Sequence, residues 1–206
     1  MTENQAREWI VERFGVSRGT LLDDFATLLR VEAQRQNLIS ASSFDELWVR
    51  HFQDSAQLIP LARESDGPWI DIGTGAGMPG LIVAILTDRP VILVEPRARR
   101  VEFLRNCVED LGISSRVVVE QRRIETVTVT RPAAVISARA VSELSQLFAS
   151  AVHCADSSTS WLLPKGRSAQ SEVAAARNAW QGSFHVEPSV TSPDSGIVVA
   201  SGVRPK

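Results

Sequence analysis

The spacing of apolar residues divides the chain into two parts with different periodicities. Up to about residue 66, apolar positions recur at intervals of three and four, as on the buried face of an amphipathic helix. The pattern predicts three helices: one opened by a capping box at Thr2 and Gln5 and stopped at Gly15, one over residues 20–36, and one opened by a capping box at Ser43 and Glu46 with buried positions through Leu58. These helices form a predicted N-terminal extension.

From residue 67 onward, short apolar runs alternate with segments of helical periodicity. Strands are predicted at residues 69–72, 91–95, 116–120, 133–137 and 160–164, with helices that begin at Pro79 and cover 99–111, 142–152 and 169–180. Such alternation predicts a mainly parallel sheet covered by helices. The last two predicted strands, 184–188 and 197–203, are joined by a loop too short for a crossover helix. They are therefore expected to form an antiparallel hairpin.

A seven-stranded, mostly parallel sheet with a terminal antiparallel hairpin differs from the plain dinucleotide-binding fold, whose sheet stays parallel. It matches the arrangement of class I S-adenosylmethionine-dependent methyltransferases, which are Rossmann-like α/β proteins. We therefore predict an α/β domain of that class at residues 67–206. Residues 1–66 are predicted to pack on it as a helical extension.

Composition limits the possible classes of protein. The 206 residues carry 22 basic and 24 acidic side chains, a formal net charge of −2, so binding of nucleic acid would need a local basic patch. No apolar run is long enough to cross a membrane, and the first residues lack the apolar core of a secretory signal. We expect a cytoplasmic monomer without membrane association. Cys107 and Cys154 are expected to be free buried thiols, and no cluster of residues has the spacing of metal ligands.

The strongest candidate for ligand binding is the turn after the first predicted strand. It contains Asp-Ile-Gly-Thr-Gly-Ala-Gly, in which Gly73, Gly75 and Gly77 let the backbone approach a ligand closely. Residues 75–80 also satisfy G-x-G-x-x-G, the fingerprint of NAD-binding folds. An NAD(P)-binding oxidoreductase is therefore an alternative.

Two acidic residues bear on the choice of cofactor. Asp71, at the end of the first strand, is predicted to hold the amino group at the methionine end of S-adenosylmethionine. Glu95, at the end of the second strand, is predicted to accept hydrogen bonds from ribose hydroxyls, which both cofactors carry. Asp71 favours S-adenosylmethionine, whereas Glu95 is compatible with either cofactor.

Further motifs extend this interpretation to nearly the whole chain. They are Asn37-Leu38-Ile39-Ser40, Arg50-His51-Phe52-Gln53-Asp54-Ser55, the string from Asp71 to Gly80, Val135-Ile136-Ser137-Ala138-Arg139-Ala140 and Leu163-Pro164-Lys165-Gly166. In this combination the sequence resembles the bacterial small-subunit (16S) ribosomal RNA guanine-N7 methyltransferases, a family also called glucose-inhibited division protein B. The resemblance implies S-adenosylmethionine as cofactor and 16S ribosomal RNA, or the small ribosomal subunit, as partner.

The resemblance also implies which residues contact the cofactor. They are Gly73, Met78, Ile124, Glu125 and Arg139. All of them lie in turns that follow the carboxyl ends of predicted strands, where open α/β sheets bind their ligands.

The chemistry of guanine N7 explains which catalytic groups to expect. N7 carries a free lone pair and no proton, so its methylation needs alignment with the methyl donor and no general base. The chain accordingly has no N/D-P-P-aromatic motif of the kind that serves exocyclic amines. Arg139 and Lys165, at the ends of adjacent strands, are the predicted catalytic residues, since either can donate to guanine O6 beside N7.

Basic residues around the second and third strands are candidates for phosphate contacts: Arg97, Arg99, Arg100, Arg105, Arg116, Arg122 and Arg123. His51 and Asp54 are expected to pack the extension against the core. Three alternatives stay open at this point: a methyltransferase for another acceptor, an NAD(P)-binding oxidoreductase, and a non-catalytic RNA-binding module.

Overall fold

A computed structural model describes residues 1–40, 43–63 and 65–206. Its helices are α1 (Glu3–Phe14), α2 (Val16–Glu32), a π-helical segment (Trp48–Gln53) continued by α3 (Asp54–Ala56), α4 (Gly80–Leu86), α5 (Ala98–Asp110), α6 (Leu144–Ala151) and α7 (Ala169–Ala176). Its strands are β1 (Trp69–Ile72), β2 (Val91–Val94), β3 (Val117–Glu120), β4 (Val135–Ala138), β5 (Ser160–Gly166), β6 (Trp180–Pro188) and β7 (Gly196–Pro205).

The seven strands form one sheet in the order β3-β2-β1-β4-β5-β7-β6. The first five are parallel, and β7 runs antiparallel to both β5 and β6. The predicted terminal hairpin is therefore confirmed, as is the mostly parallel sheet. The strand order reverses between β1 and β4, which places a ligand-binding crevice at the carboxyl ends of these strands.

Two hydrophobic clusters cover the sheet. One contains α4, α5 and the N-terminal helices, and the other contains α6 and α7. In the first cluster, the ring of Phe25 in α2 lies 6.4 Å from that of Phe103 in α5 and 5.8 Å from that of Phe52. The N-terminal helices thus share a core with the sheet, because their apolar faces have no other surface to cover.

The second helix begins earlier than the sequence pattern indicates. It starts at Val16 rather than at residue 20, and it ends at Glu32 rather than 36. Gly15, at φ +91°, ends α1 and immediately begins α2, a backbone angle that glycine adopts without a Cβ penalty. The capping box predicted at Thr2 and Gln5 is confirmed.

The predicted start of the third helix is wrong. The helical segment begins near Leu47, without a capping box from Ser43 and Glu46. Its free backbone amides are capped from a distance, because the carboxylate of Glu3 accepts hydrogen bonds from the N–H groups of Trp48 and Val49, each at 2.9 Å. A carboxylate at a helix N-terminus satisfies these amides and also complements the helix dipole.

The last predicted helix also ends too late. It stops at Ala176, and Trp180 begins β6, where it pairs with Pro205 and packs its ring 5.5 Å from that of Phe148. Trp180 lies seven positions after the buried Val173, so helical spacing and a buried strand position coincide there. The strand predicted at residues 184–188 therefore begins four residues early, at Trp180. The remaining bounds shift by at most two residues, such as a helix that starts at Gly80 instead of Pro79.

Candidate active site

The turn after β1 depends on glycines in left-handed conformations. Gly73, Gly75 and Gly77 have φ values of +64°, +59° and +98°. A Cβ on Gly73 would lie 2.9 Å from a methyl group of Val141, so a side chain there would meet both strain and a collision. The amide of Gly73 donates to the carbonyl of Val94 at 2.8 Å, which ties the turn to the end of β2.

Asp71 supports this turn from beneath and is fully buried. Its carboxylate accepts hydrogen bonds from the Gly80 amide at 2.9 Å and from the Ser137 hydroxyl at 2.6 Å, and Ser137 in turn accepts from the Trp69 indole at 2.7 Å. Burial raises the pKa of Asp71 to about 6, although the hydrogen bonds to its carboxylate oppose that shift. Gly80 must lack a side chain, because a Cβ there would lie 2.5 Å from the Cβ of Asp71.

Glu95 supports the turn from the end of β2. It is almost fully buried, and its carboxylate accepts from the amides of Gly75 at 3.1 Å and Arg97 at 2.9 Å. The guanidinium of Arg100 lies 3.6 Å from the same carboxylate. Glu95 therefore fixes the loop that carries Gly75 and anchors the start of α5.

A cleft of about 300 Å³, here called the glycine cleft, opens beside the turn. Gly73, Ile124, Glu125 and Val141 are among its lining residues. Ile124 and Glu125 belong to a short 3₁₀ helix after β3, in which Ile124 is buried and Glu125 is exposed. The predicted contacts Gly73, Ile124 and Glu125 thus converge on one concave site of the size that small ligands occupy.

A second cleft of about 540 Å³, here called the hairpin cleft, lies between the ends of β4 and β5 and the β6–β7 hairpin. Arg139, Lys165, Asp54 and Ser189 are among its lining residues. The loop at Val141 and Ser142 lines both clefts. The two predicted catalytic residues are therefore neighbours in one cleft, which directly adjoins the glycine cleft.

Arg139 joins the sheet to the N-terminal extension. Its guanidinium lies 3.4 Å from the Asp54 carboxylate, donates to the Arg50 carbonyl at 3.3 Å, and lies 3.1 Å from Nδ1 of His51. It also approaches the sulfur of Met78 at 3.4 Å, so the buried Met78 lies beneath Arg139. Arg139 thus lines the hairpin cleft, while the buried Asp71, Met78 and Glu95 line neither cleft.

His51 is neutral at physiological pH in this environment. Burial, followed by the charges of Arg139 and Arg50, lowers the pKa of His51 to about 4. A neutral ring can accept a hydrogen bond from Arg139 at Nδ1. The predicted packing of His51 and Asp54 against the core is confirmed, and both residues contact the predicted catalytic Arg139.

Lys165 is held by two acceptors. Its ammonium lies 2.9 Å from the Glu172 carboxylate and also donates to the carbonyl of Ser142. Glu172 additionally accepts from the Leu144 amide and the Ser168 hydroxyl. Burial alone would raise the pKa of Glu172, but the bonds from Ser168 and Lys165 lower it below its ordinary value. Lys165 is thereby fixed at the wall of the hairpin cleft.

The other carboxylate oxygen of Asp54 contacts the C-terminal hairpin. It accepts a hydrogen bond from the Thr191 hydroxyl at 2.8 Å and another from the side-chain amide of Gln57 at 2.9 Å. The side-chain oxygen of Gln57 in turn accepts from the backbone N–H of Val190 at 2.8 Å, so Gln57 links Asp54 to the hairpin. Sequence reasoning missed Gln57, Thr191 and Glu172, because each is an isolated polar residue outside any motif. The Ser/Pro/Asp/Gly composition of the β6–β7 loop was the only signal, and it indicated a turn rather than a site.

The loop that follows Arg139 has unusual geometry. Ala140 has φ +56° and is the only non-glycine residue with positive φ in the described part of the chain. Such a conformation costs about 1–2 kcal/mol for a residue with a Cβ, and it persists where surrounding contacts over-determine it. No motif in the sequence predicts Val141, the next residue, as part of a site.

The predicted phosphate-binding arginines separate into two groups. Four of the seven are engaged within the fold and support local structure. Arg116 donates to the Ala84 carbonyl and Arg105 to the Val119 carbonyl. Arg122 pairs with Glu120 at 2.9 Å, and Arg100 lies 3.6 Å from the Glu95 carboxylate. By contrast, Arg97, Arg99 and Arg123 are exposed, and their guanidinium groups contact no acceptor among the described residues. Only this second group remains fully available to phosphates.

Other chemistries find little support in the described residues. Cys107 and Cys154 are free and buried, as predicted, and burial raises the pKa of Cys107 to about 12, which disfavours a nucleophilic thiolate. No group of three or more histidines, cysteines and carboxylates in residues 1–40, 43–63 and 65–206 could hold a metal ion. Within the same residues, no helix combines the length and apolar character needed to cross a membrane.

Comparison with known proteins identifies a family model and relatives that carry the same description. Residues 19–196 match the family model of rRNA small subunit methyltransferase G. The ribosomal RNA small subunit methyltransferase G of Rhizorhabdus wittichii is 47% identical over 211 residues, which cover 100% of this chain and 95% of that protein. The protein of the same name from Zymomonas mobilis is 42% identical over 218 residues, with 100% and 96% covered.

Solved structures agree on the fold. A glycopeptide N-methyltransferase complexed with (S)-adenosyl-L-methionine superimposes with a TM-score of 0.62 at 13% identity, covering 84% of this chain and 95% of that one. The architecture is that of a class I S-adenosylmethionine-dependent methyltransferase, with the seven-stranded sheet predicted from the sequence.

Proposed function

The chain belongs to the rRNA small subunit methyltransferase G family, and we propose that it transfers a methyl group from S-adenosylmethionine to N7 of a guanine in 16S ribosomal RNA. The observation that carries this proposal is the family match over residues 19–196 combined with two adjoining clefts that share one loop. One cleft suits a nucleoside-like donor, and the other presents cations to an acceptor.

The residues of the glycine cleft fit the cofactor. Gly73 presents backbone without a Cβ to this cleft, and Ile124 and Glu125 add an apolar and an acidic side chain to the same lining. We assign Gly73, Ile124 and Glu125 to cofactor binding as lining residues of this cleft. We assign Gly75, Gly77 and the buried Met78 to it as parts of the adjoining turn, which Glu95 and the buried Asp71 hold in place. When bound, S-adenosylmethionine supplies an activated methyl group on its sulfonium.

The hairpin cleft suits a guanine. Arg139 and Lys165 can donate hydrogen bonds to O6, the acceptor beside N7 on the edge of the base. No proton has to leave N7, so carboxylates that line the cleft, such as Asp54 and Glu172, do not need to act as bases. Both Asp54 and Glu172 are instead engaged with the cations Arg139 and Lys165. We assign catalysis to these two cations through alignment of the base.

The RNA partner needs contacts beyond the cleft. Arg97 and Arg99 are exposed at the start of α5, and Arg123 is exposed beside the glycine cleft. We assign all three to phosphate binding. Residues 1–66 serve in this proposal as an extension that shapes the hairpin cleft through His51 and Asp54. We propose a monomer that acts in the cytoplasm, where it meets the small ribosomal subunit.

The test uses the full chain and small ribosomal subunits from bacterial cells that lack the corresponding methyltransferase. We expect methyl label from S-adenosylmethionine to enter the 16S RNA and the labelled position to become sensitive to the reduction and chain cleavage specific to 7-methylguanosine. Subunits from cells that contain the methyltransferase are the control and should accept no label. Label in protein, or at a position resistant to this cleavage, would refute the proposal.

A further inference from the structure

The loop that separates the two clefts exposes one large apolar side chain. Val141 lines both the glycine cleft and the hairpin cleft, and 45% of its surface is exposed. Its Cγ2 lies 2.9 Å from the position that a Cβ on Gly73 would occupy, so it directly covers the glycine turn. Among the large apolar residues lining the hairpin cleft, Pro164 is half-buried and Ile197 is buried. Val141 therefore offers the most accessible apolar surface of that cleft.

Contacts on both sides hold Val141 in this outward position. Before it, Arg139 is anchored to Asp54 and His51, and Ala140 adopts φ +56°. After it, the Ser142 carbonyl accepts a hydrogen bond from Lys165. A valine held exposed on a strained and anchored loop contributes no stabilisation from burial of its side chain, and nothing within the loop compensates for the strain. Strain that is maintained at the junction of two clefts is a feature to expect of a ligand contact.

We propose that Val141 is the apolar contact for the face of the acceptor base and holds the base plane at the junction with the glycine cleft. The inference rests on the proposed function, because it requires a planar base in the hairpin cleft. A nucleobase has polar edges and apolar faces, and the cations Arg139 and Lys165 of this cleft are suited to the edges. The faces need an apolar surface, which Val141 provides.

The test compares the wild-type chain with Val141→Ala, Val141→Thr and Val141→Ile on the ribosomal subunits described above. Loss of two methyl groups should lower kcat about tenfold in Val141→Ala. The KM for subunits should change less than about twofold, because phosphate contacts outside the cleft dominate RNA affinity. Val141→Thr, which keeps the shape but adds a hydroxyl, should also lower kcat, whereas Val141→Ile should retain it.

Two further measurements separate this role from others. Val118→Ala is the matched control, since Val118 is 53% exposed on the edge strand β3 and lines neither cleft. It should leave kcat unchanged. The dissociation constant of S-adenosylhomocysteine, measured by calorimetry, should stay within about twofold in Val141→Ala.

The outcomes distinguish the inference from the function on which it rests. If wild-type protein modifies guanine N7 but Val141→Ala keeps its kcat, the inference is wrong and the function stands. A loss of S-adenosylhomocysteine affinity that accounts for the fall in activity would make Val141 a cofactor contact and overturn the inference. If wild-type protein does not methylate 16S RNA, the proposed function itself fails.

Discussion

The glycine cleft and the hairpin cleft are assembled in different ways. The glycine cleft is formed mainly by the turns that directly follow β1, β2 and β3, together with the loop after β4 and part of α6. Its shape depends on backbone angles at Gly73 and its neighbours. The hairpin cleft depends on side chains from distant segments. Asp54 contacts Arg139 across 85 positions of sequence and Thr191 across 137.

This difference has a consequence for mutations. A side chain added at the glycine turn occupies space and strains the backbone, so the cofactor loses its place. A side chain removed from the hairpin cleft loosens an anchored cation while the glycine turn stays intact. Substitutions in the glycine cleft should therefore mainly lower cofactor affinity, whereas substitutions in the hairpin cleft should mainly lower the rate of methyl transfer.

The largest effect is expected at Gly73. Gly73→Ala combines the cost of a left-handed alanine with a 2.9 Å approach to Val141, and cofactor affinity should fall about a hundredfold. Gly112→Ala is the matched control, because Gly112 has φ +66° with nothing within 4 Å of the position that a Cβ would occupy. It should lose stability but keep cofactor affinity, as measured by calorimetry. Equal losses of affinity in both variants would show that strain alone, and not occupation of the cleft, is responsible.

The next largest effect is expected at Lys165. Lys165→Ala removes a cation from the hairpin cleft, and kcat should fall roughly thirtyfold while cofactor affinity changes less than about twofold. Glu172→Gln serves as the control, since it breaks the same ion pair but leaves the ammonium in the cleft. We expect a much smaller loss of kcat for Glu172→Gln. If both variants lose the same activity, Lys165 acts only through its ion pair.

A smaller effect is expected at Asp54. Asp54→Asn removes the charge that holds Arg139, and kcat should fall about tenfold because the guanidinium samples more orientations. Asn can still accept from the Thr191 hydroxyl, so the contact with the hairpin is retained. The measurement is kcat against KM for ribosomal subunits, with the melting temperature as control. A fall in melting temperature without a fall in kcat would assign Asp54 a purely structural role.

The free energy of unfolding should depend on pH in opposite directions through two buried groups, Asp71 beneath the glycine turn and His51 beside Arg139. Burial raises the pKa of Asp71 from 3.8 to about 6, so the native state holds this proton more tightly and loses stability as pH rises through that window. Between pH 5 and 7 the wild type should lose about 1 kcal/mol relative to Asp71→Asn.

His51 should show the reverse trend. Its pKa is lowered from 6.5 to about 4, so the wild type should gain stability relative to His51→Gln as pH rises from 4 to 6.5. Denaturant unfolding of the three proteins at several pH values measures both trends. Parallel trends in the two comparisons would contradict the assigned environments.

Much of the fold could be predicted because it follows local patterns. Helix α1, the five parallel strands and the terminal hairpin each reflect a periodicity or a loop length within a short stretch. Prediction fails where a distant group replaces a local one. The third helix lacks the expected cap because Glu3 supplies it from 45 positions away. The helical pattern wrongly includes Trp180 because a buried strand position coincides with helical spacing.

The glycine turn and the sheet that carries it follow from the order of the amino acids, because glycine angles and apolar alternation are properties of neighbouring residues. Which groups share the hairpin cleft with Arg139 and Lys165 depends instead on how distant segments fold together. The tertiary structure brings Asp54, Glu172 and Thr191 to them, and it leaves Val141 exposed beside Gly73. Ion pairing, burial and exposure depend on distances in space, and no local sequence pattern records the distances between segments that lie far apart in the chain.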